Sequence, residues 1–179
     1  MMKKEIDVFD YTKEILNAVR NGVLLTTKSG NKVNSMTISW GTIGIEWGKP
    51  IFTVFVRENR FTRQQLEENP EFTINIPYGD YDKKILGFCG SKSGRKIDKI
   101  EELKLTLVNA EVISVPAIKE LPLTLECKVV YTQMQDVNAI PGDIKEANYP
   151  QDVDSSSPLA NKDYHVAYYG EIVKAYIVE

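Results

Sequence analysis

The feature of this sequence that most constrains its fold is a series of short β-branched and apolar segments separated by turn residues. Residues 51–56 read Ile-Phe-Thr-Val-Phe-Val, and residues 72–76 read Phe-Thr-Ile-Asn-Ile before a proline. Segments of this length and composition are typical of strands. The predicted strands are residues 23–27, 35–45, 51–56, 72–76, 110–115, 123–135 and 164–178.

Helical segments are few and short. Apolar residues at helical spacing predict an amphipathic helix over residues 9–19, with Gly22 just beyond its end. Further helices are predicted over residues 61–68, with Thr62 as a possible N-cap, and over residues 80–88.

This pattern favours a mainly β fold, a closed or partly closed β-barrel with a few short helices. The length of 179 residues suits a single domain, residues 1–179. The last strand segment is either a strand pair or one long strand with a bend or bulge at Gly170. Residues 136–162 are rich in Asp, Asn, Pro and Ser, and they form a long loop that is either functional or partly disordered.

Composition argues against several classes of function. The formal net charge of -3 argues against a nucleic-acid partner, since phosphate-binding surfaces are normally basic. One His and 2 Cys argue against a metal site of several histidines, a disulfide scaffold and a thiolate zinc site. The N-terminus lacks the apolar stretch of a signal peptide and no apolar run is long enough to span a bilayer, so we expect a cytoplasmic protein with no membrane association.

Small polar residues alternate with apolar ones in the second predicted strand, which includes Asn34-Ser35-Met36-Thr37-Ile38-Ser39-Trp40-Gly41. On a strand the hydroxyl groups of Ser35, Thr37 and Ser39 share one face. This row of hydroxyls is either a set of hydrogen-bond donors for a planar heteroaromatic ligand or a phosphate, or the solvated outer face of an ordinary half-buried strand.

Three arginines, Arg57, Arg60 and Arg63, cluster where a predicted strand is followed by a predicted helix. Free backbone N–H groups and the helix dipole favour anions at such a junction, and arginine binds phosphate in a bidentate manner. The motif indicates either a phosphate site or a charged loop paired with neighbouring glutamates.

Residues 89–99 form a basic, Gly- and Ser-rich segment whose spacing does not match a Walker A motif. Such a segment either presents backbone donors and positive charge to a dianion or serves as a flexible connection. Cys89 lies near Lys92 and Arg95, two charges that can lower the pKa of a thiol, but the sequence places no resolving thiol near it, so a redox-active cysteine is the less favoured interpretation. Cys127 in an apolar strand is expected to be inert core.

The single histidine, His165, is a candidate general base or a hydrogen-bonded structural residue. No G-x-S-x-G nucleophile elbow accompanies it, so hydrolysis is not expected. Most of any chemistry is therefore expected to come from a bound group.

Together with residues 163–173, these segments resemble the flavin reductase-like, flavoredoxin-type branch of the FMN-binding split-barrel proteins. The resemblance runs from about Gly22 to Val173, and its carriers are N-S-M-T-I-S-W-G-T-I-G, W-G-K-P, F-V-R-E-N-R-F-T, E-N-P-E-F-T-I-N-I-P, G-S-K-S-G-R-K-I-D-K, L-E-C-K-V-V and H-V-A-Y-Y-G-E-I-V. It implies a six-stranded Greek-key split barrel that forms a homodimer, with FMN bound near the dimer interface.

The resemblance also implies a set of FMN-contacting residues. Those near the isoalloxazine and the ribityl chain are Asn34, Ser35, Met36, Thr37, Ser39 and Trp40. Those at the phosphate are Arg57, Arg60 and Thr62, with Phe61 in the same segment. Those that cover the flavin or its phosphate are Cys89, Gly90, Ser91 and Arg95, and those near the ring or on the substrate side are His165, Tyr168 and Tyr169.

The implied activity is electron transfer through bound FMN, from NAD(P)H or a protein electron donor to an acceptor, without a catalytic residue or metal supplied by the chain. The alternative is a non-catalytic, flavoredoxin-like FMN carrier whose acidic residues in the range 136–154 dock to a basic redox partner. A third hypothesis is a small β-barrel that binds no flavin.

Overall fold

The computed structural model describes residues 1–153 and 162–179. Its strands are β1 (Lys3–Glu5), β2 (Val23–Ser29), β3 (Lys32–Ile38), β4 (Gly41–Glu46), β5 (Lys49–Arg57), β6 (Glu71–Ile76), β7 (Leu107–Val108), β8 (Ala117–Ile118), β9 (Leu123–Met134) and β10 (His165–Val178). Its helices are α1 (Thr12–Asn21), α2 (Phe61–Glu68), α3 (Lys84–Ser91), α4 (Lys99–Glu102) and α5 (Gly142–Asn148), with short 3-10 helices at Val8–Tyr11 and Val137–Ala139.

One antiparallel sheet dominates the fold, with strand order β3-β2-β6-β9-β10-β5-β4 and with β1 paired to the end of β10. The two end strands, β3 and β4, do not pair with each other in the described chain, yet only Ser39 and Trp40 separate them in sequence. Three Cα steps lead from Ile38 to Gly41, so these strand ends lie within about 11 Å of each other. The sheet therefore curls into a barrel that is split between β3 and β4, which confirms the predicted mainly β barrel.

The barrel encloses the main hydrophobic core. Fully buried side chains from different strands meet there, including Leu25, Phe52, Phe72, Ile74 and Leu125. β5 and β6 follow each other in the chain but are separated in the sheet by β9 and β10, as expected for a Greek-key connection. The link between them contains α2, so the arginine segment lies where β5 ends and this link begins.

The strand predicted over residues 110–115 is wrong: this stretch is irregular. The buried carboxylate of Glu126 accepts hydrogen bonds from the backbone N–H groups of Glu111, Val112 and Ile113 at 2.7, 2.8 and 3.3 Å. The Ser114 N–H donates to a carboxylate oxygen of Glu71 at 2.7 Å. Side-chain carboxylates thus satisfy the donors that a neighbouring strand would otherwise take, and this local chemistry overrides the β propensity.

Several predicted boundaries also shift. The strand predicted over residues 35–45 is two strands, because the chain leaves the sheet at Ser39 and Trp40. Thr62 does not cap α2: Arg60 occupies the N-cap position, and Thr62 lies inside the helix. Of the long loop, α5 and the short helix Val137–Ala139 are ordered elements, while residues 154–161 fall outside the described part of the chain.

The last segment is one strand, β10, and its register with β9 shifts between Tyr169 and Gly170, which confirms the predicted irregularity there. A Cβ placed on Gly170 would overlap the ring of Phe72 and lie 2.9 Å from Cys127 Cβ. Gly170 is therefore needed because no side chain fits between β10 and its neighbours. Separately, no helix within residues 1–153 and 162–179 is long and apolar enough to cross a membrane.

We expect Gly170→Ala to lower the free energy of unfolding by about 1–3 kcal/mol, because a packed core yields poorly to an added methyl group. Urea denaturation measures the change. Gly44→Ala is the matched control, since Gly44 also lies in a strand and no atom lies within 4 Å of the position that its Cβ would occupy. Equal stability of the two variants would contradict the packing argument.

Candidate functional site

Two adjoining cavities share residues of β3, and the first of them lies at the split between β3 and β4. The first, which we call the seam cavity, has a volume of about 250 Å³. Its lining residues are Met36, Thr37, Ile38, Ser39, Trp40, Phe55, Arg57, Arg60 and His165. They come from β3, from the two-residue link to β4, from β5 and the turn after it, and from β10, so the cavity exists only because the barrel brings these strands together.

The second cavity, which we call the basic cavity, has a volume of about 100 Å³. Its lining residues are Asn34, Met36, Thr37, Asn59, Arg60, Phe61, Thr62, Cys89, Gly90, Lys92, Ser93, Gly94, Arg95 and Lys99. Met36, Thr37 and Arg60 line both cavities, so the two form one continuous cleft.

Planar groups form the wall of the seam cavity. The rings of Trp40 and His165 lie 4.8 Å apart between centroids, and Trp40 is 41% exposed. The guanidinium of Arg57 lies 5.1 Å from the ring centroid of Tyr149 and donates to the backbone carbonyls of Asp163 and Asn148 at 2.6 and 3.1 Å. These bonds tie the end of β5 to both sides of the long loop.

His165 is buried and faces Arg57 directly across the β5–β10 pair. Burial, followed by the positive charge of Arg57, lowers the pKa of His165 to about 4. Its imidazole is therefore neutral at physiological pH. The Nδ1 atom lies 2.9 Å from the hydroxyl oxygen of Tyr149, which comes from the end of α5.

The basic cavity gathers four cationic side chains, Arg60, Lys92, Arg95 and Lys99. No carboxylate is among its lining residues in the described chain. Arg95 is held over the ring of Phe61, 5.6 Å from its centroid, and donates to the Asn59 carbonyl at 2.7 Å. Such an excess of positive charge in a recess suits an anion.

Lys99 also lines this cavity, although it is only 3% exposed. Its Nζ donates to the carbonyls of Cys89 and Lys92 at 3.1 and 3.3 Å, and among the described residues it has no carboxylate partner. Burial lowers the pKa of Lys99, as expected for a cation removed from water without a counter-ion. Burial also raises the pKa of the Cys89 thiol more than Lys99 lowers it, so the neighbouring positive charge does not activate this thiol.

Asn34 provides an unsatisfied acceptor beside these cations. Its Nδ2 donates to Thr62 Oγ1 at 3.1 Å, but its buried Oδ1 has no hydrogen-bond partner in the described chain. A Cβ on Gly94 would overlap this oxygen and lie 3.1 Å from the Phe61 ring, so a glycine is required there. A buried acceptor of this kind costs about 1–3 kcal/mol unless a ligand donates to it.

The structure brings most of the predicted site residues together in this cleft: Asn34, Met36, Thr37, Ser39, Trp40, Arg57, Arg60, Phe61, Thr62, Cys89, Gly90, Arg95 and His165. Arg57, which the resemblance assigns to a phosphate, lines the seam cavity and not the basic cavity. The cross-strand pairing of Arg57 with His165 is the reason, since it places the guanidinium beside the imidazole.

Four predicted residues lie outside the lining of the cleft. Ser35 is fully buried, with its hydroxyl oxygen 2.7 Å from Thr26 Oγ1, and Ser91 bonds back to the Phe88 carbonyl within its own helix. Tyr168 packs into the barrel core.

Tyr169, the fourth of these residues, packs against Tyr131, with ring centroids 5.2 Å apart. It shares a face with His165, but four residues along a strand correspond to about 13 Å, which is too far to join the same cavity.

Sequence reasoning missed other residues that line the cleft: Ile38, Phe55, Asn59, Lys92, Ser93, Gly94 and Lys99. The basic segment over residues 89–99 was a signal for several of them, because it contains both lysines. Nothing in the pattern distinguished the buried Lys99 from its exposed neighbours, since only the packing of α4 against the barrel removes it from water.

Comparison with known proteins identifies similar chains. The family described as Flavin reductase like domain matches residues 17–176. An uncharacterized protein of Archaeoglobus fulgidus is 34% identical over 99 residues, which are 55% of this chain and 55% of that protein. The matches to curated relatives span only 55% to 62% of those proteins' lengths.

Two solved structures share the fold. A flavoredoxin from Methanosarcina acetivorans superimposes with a TM-score of 0.64 and 28% identity, over 88% of this chain and 68% of that one. An FMN-binding domain of a flavin reductases-like enzyme from Shewanella baltica OS155 has a TM-score of 0.66 and 16% identity, over 98% of this chain and 77% of that one. The described chain therefore has the split-barrel fold that its motifs imply.

The stability of the protein should depend on pH through His165. The unfolded chain binds a proton at the ordinary histidine pKa of 6.5, whereas the folded chain binds it only near about 4. Between these values the unfolded state binds more protons, so this contribution to stability is complete above pH 6.5 and is lost as the pH falls toward 4. From pH 7 to pH 5 we expect the free energy of unfolding to fall by about 1–2 kcal/mol in urea denaturation.

His165→Gln is the control, because glutamine does not titrate and most carboxylates protonate below this range. Its free energy of unfolding should change much less between the same pH values. Parallel pH profiles for the native protein and the variant would contradict the lowered histidine pKa.

Proposed function

Because this chain belongs to the family of flavin reductase-like domains, we propose that its cleft binds FMN and that the protein is an FMN-dependent oxidoreductase. It would pass electrons from NAD(P)H or from a protein donor through the flavin to an acceptor. The observation that carries the proposal is the pairing of the two cavities: a planar, partly aromatic recess continues into a strongly cationic one. FMN has the same division, with a planar ring at one end and a phosphate dianion at the other.

The residues of the basic cavity fit the phosphate and the ribityl chain. Arg60, Arg95 and Lys99 supply positive charge and N–H donors, and backbone carbonyls and aromatic packing already hold Arg95 and Lys99 in place. The unpartnered Asn34 Oδ1 can accept a hydrogen bond from a ribityl hydroxyl. This orphaned acceptor beside a cation cluster is what a polyhydroxylated phosphate ester would satisfy.

The residues of the seam cavity fit the flavin ring. Trp40, His165 and Arg57 form a planar wall, and Met36 and Thr37 lie where the two cavities meet. The Thr37 hydroxyl donates to the Leu86 carbonyl at 2.6 Å, so its oxygen remains available as an acceptor. The half-exposed Trp40 leaves this end of the cleft open to a second substrate or partner.

Bound FMN supplies the redox chemistry itself, the acceptance and donation of a hydride or of electrons. The chain's contribution is to bind and orient the ring, to surround the phosphate with positive charge, and to keep His165 neutral beside the ring. In this proposal no side chain of the protein needs to gain or lose electrons.

A flavoredoxin-like electron carrier is the second candidate function. The solved flavoredoxin at 28% identity supports it, as do the exposed acidic side chains of Asp143, Glu146 and Asp152, which lie on or just after α5. Tyr149, which directly follows α5, lies beside His165, so a basic partner docked there would approach the seam cavity.

We also propose a homodimer. Large apolar side chains are exposed on the β4–β5 hairpin and the outer half of β9, among them Ile45 at 70% and Trp47 at 59%. Trp47 and Tyr131 already contact each other, with ring centroids 6.3 Å apart. An exposed apolar cluster of this kind is typical of an interface.

The purified protein should take up FMN and show a flavin absorption spectrum. Anaerobic addition of NADH or NADPH should bleach this spectrum at a rate typical of enzyme turnover. A bound flavin that reacts slowly with both nucleotides but rapidly with a reduced ferredoxin-like protein would support the carrier. A colourless protein that takes up no FMN would contradict both and leave a barrel that binds no flavin.

Arg60→Ala should weaken FMN binding by roughly 1.5–3 kcal/mol, or more than about tenfold in Kd, because it removes a charge-assisted hydrogen bond to the phosphate. Fluorescence titration of FMN measures the effect. Arg63→Ala is the matched control: Arg63 lies outside the lining of both cavities, and its Nε donates to Glu67 at 2.8 Å. Unchanged affinity in Arg60→Ala would place the phosphate elsewhere.

A further inference from the structure

A chain of hydrogen bonds determines which nitrogen of His165 carries hydrogen. It begins at the backbone N–H of His165, which donates to Gln135 Oε1 at 3.2 Å. The hydroxyl oxygen of Tyr149 lies 2.9 Å from the same Oε1. The same hydroxyl oxygen of Tyr149 also lies 2.9 Å from His165 Nδ1.

The donors in this chain can be assigned without ambiguity. A backbone N–H can only donate, so the Gln135 atom that it meets is the amide oxygen and not the amide nitrogen. An amide oxygen carries no hydrogen, so Tyr149 must donate its single phenolic hydrogen to Gln135. Tyr149 can then only accept from His165, and Nδ1 must carry the hydrogen.

The other ring nitrogen, Nε2, is left without a hydrogen. The charged groups around the ring are Arg57, Arg60 and Asp163, and burial together with the two arginines outweighs the carboxylate and keeps the imidazole neutral. In the described chain Nε2 makes no hydrogen bond, yet it is not among the fully buried atoms without partners, so it retains accessible surface. His165 lines the seam cavity, so a ligand there can reach this accessible nitrogen.

We propose that Tyr149 and Gln135 are positioning residues that hold His165 in its Nδ1–H form, so that the seam cavity recognises its ligand through an N–H or O–H group donated to Nε2. The identity of that ligand rests on the proposed function: the N–H of an isoalloxazine ring is a donor of this class. The proposal gives the long loop a role in the site, since Tyr149 follows α5 and Arg57 anchors the loop through the carbonyls of Asn148 and Asp163.

The chain has 1 His, so ¹⁵N NMR of the uniformly labelled protein without a histidine tag shows a single imidazole. At pH 7 we expect a pyrrole-type Nδ1 and a pyridine-type Nε2, with or without FMN. Tyr149→Phe should introduce the opposite tautomer. Tyr164→Phe should not, although its ring stacks on Tyr149 with centroids 4.7 Å apart.

A pyridine-type Nδ1 in the native protein would overturn the assignment, and this measurement does not depend on any variant folding or on flavin binding. An unchanged tautomer in folded Tyr149→Phe would overturn the positioning role. Either result leaves the proposed function intact, because the FMN spectrum tests that separately.

The affinity for FMN tests whether His165 Nε2 accepts a hydrogen bond from the ligand. His165→Phe keeps a ring against Trp40 but has no acceptor, and we expect its Kd for FMN to rise about tenfold. His165→Gln keeps an acceptor and should retain most of the affinity. Equal losses of FMN affinity in the two variants would show that the ligand recognises the ring of His165 and not the lone pair of Nε2. That result would overturn the proposed hydrogen bond to Nε2.

Discussion

The structure depends on one geometric constraint, the two-residue link between the strands at the ends of the sheet. Because only Ser39 and Trp40 separate β3 from β4, the sheet must curl until its ends meet. The two strands do not form a ladder in the described chain, so the barrel stays split at this point. The seam cavity lies at this split, and the basic cavity adjoins it through the shared residues Met36, Thr37 and Arg60.

The second feature that organises the structure is whether its buried polar groups have hydrogen-bond or charge partners. Glu126 is fully buried but accepts several backbone N–H groups, so it organises a loop and its carboxylate is satisfied. The cleft differs. Within the described residues, Asn34 Oδ1 accepts no hydrogen bond, and Lys99 forms no ion pair with a carboxylate. A buried acceptor without a donor and a buried cation without a counter-ion are both costly, so these two groups support the proposal that the cleft binds a ligand.

Local chemistry explains where prediction from sequence succeeded. The end of the helix Phe61–Glu68 follows from the proline at position 70, and the irregularity at Gly170 follows from a glycine within a strand pattern. Prediction failed where distant groups compete for the backbone. Residues 110–115 have strand-forming side chains, but a carboxylate from β9 takes their N–H groups, and no local pattern reports that contact.

The sequence by itself determined the class of fold, because alternating apolar strands and turns act through local propensity. Its polar and basic motifs indicated three candidate segments, and the family resemblance implied the individual site residues. Only the tertiary structure decided how those residues divide between two cavities, because that depends on strand register: pairing with His165 places Arg57 in the seam cavity, whereas Lys92, Arg95 and Lys99 line only the basic cavity. It also decided that Lys99 is buried and that His165 Nδ1 lies within hydrogen-bond distance of the Tyr149 hydroxyl. Both properties arise from contacts between separate segments of the chain, which no spacing of residues encodes.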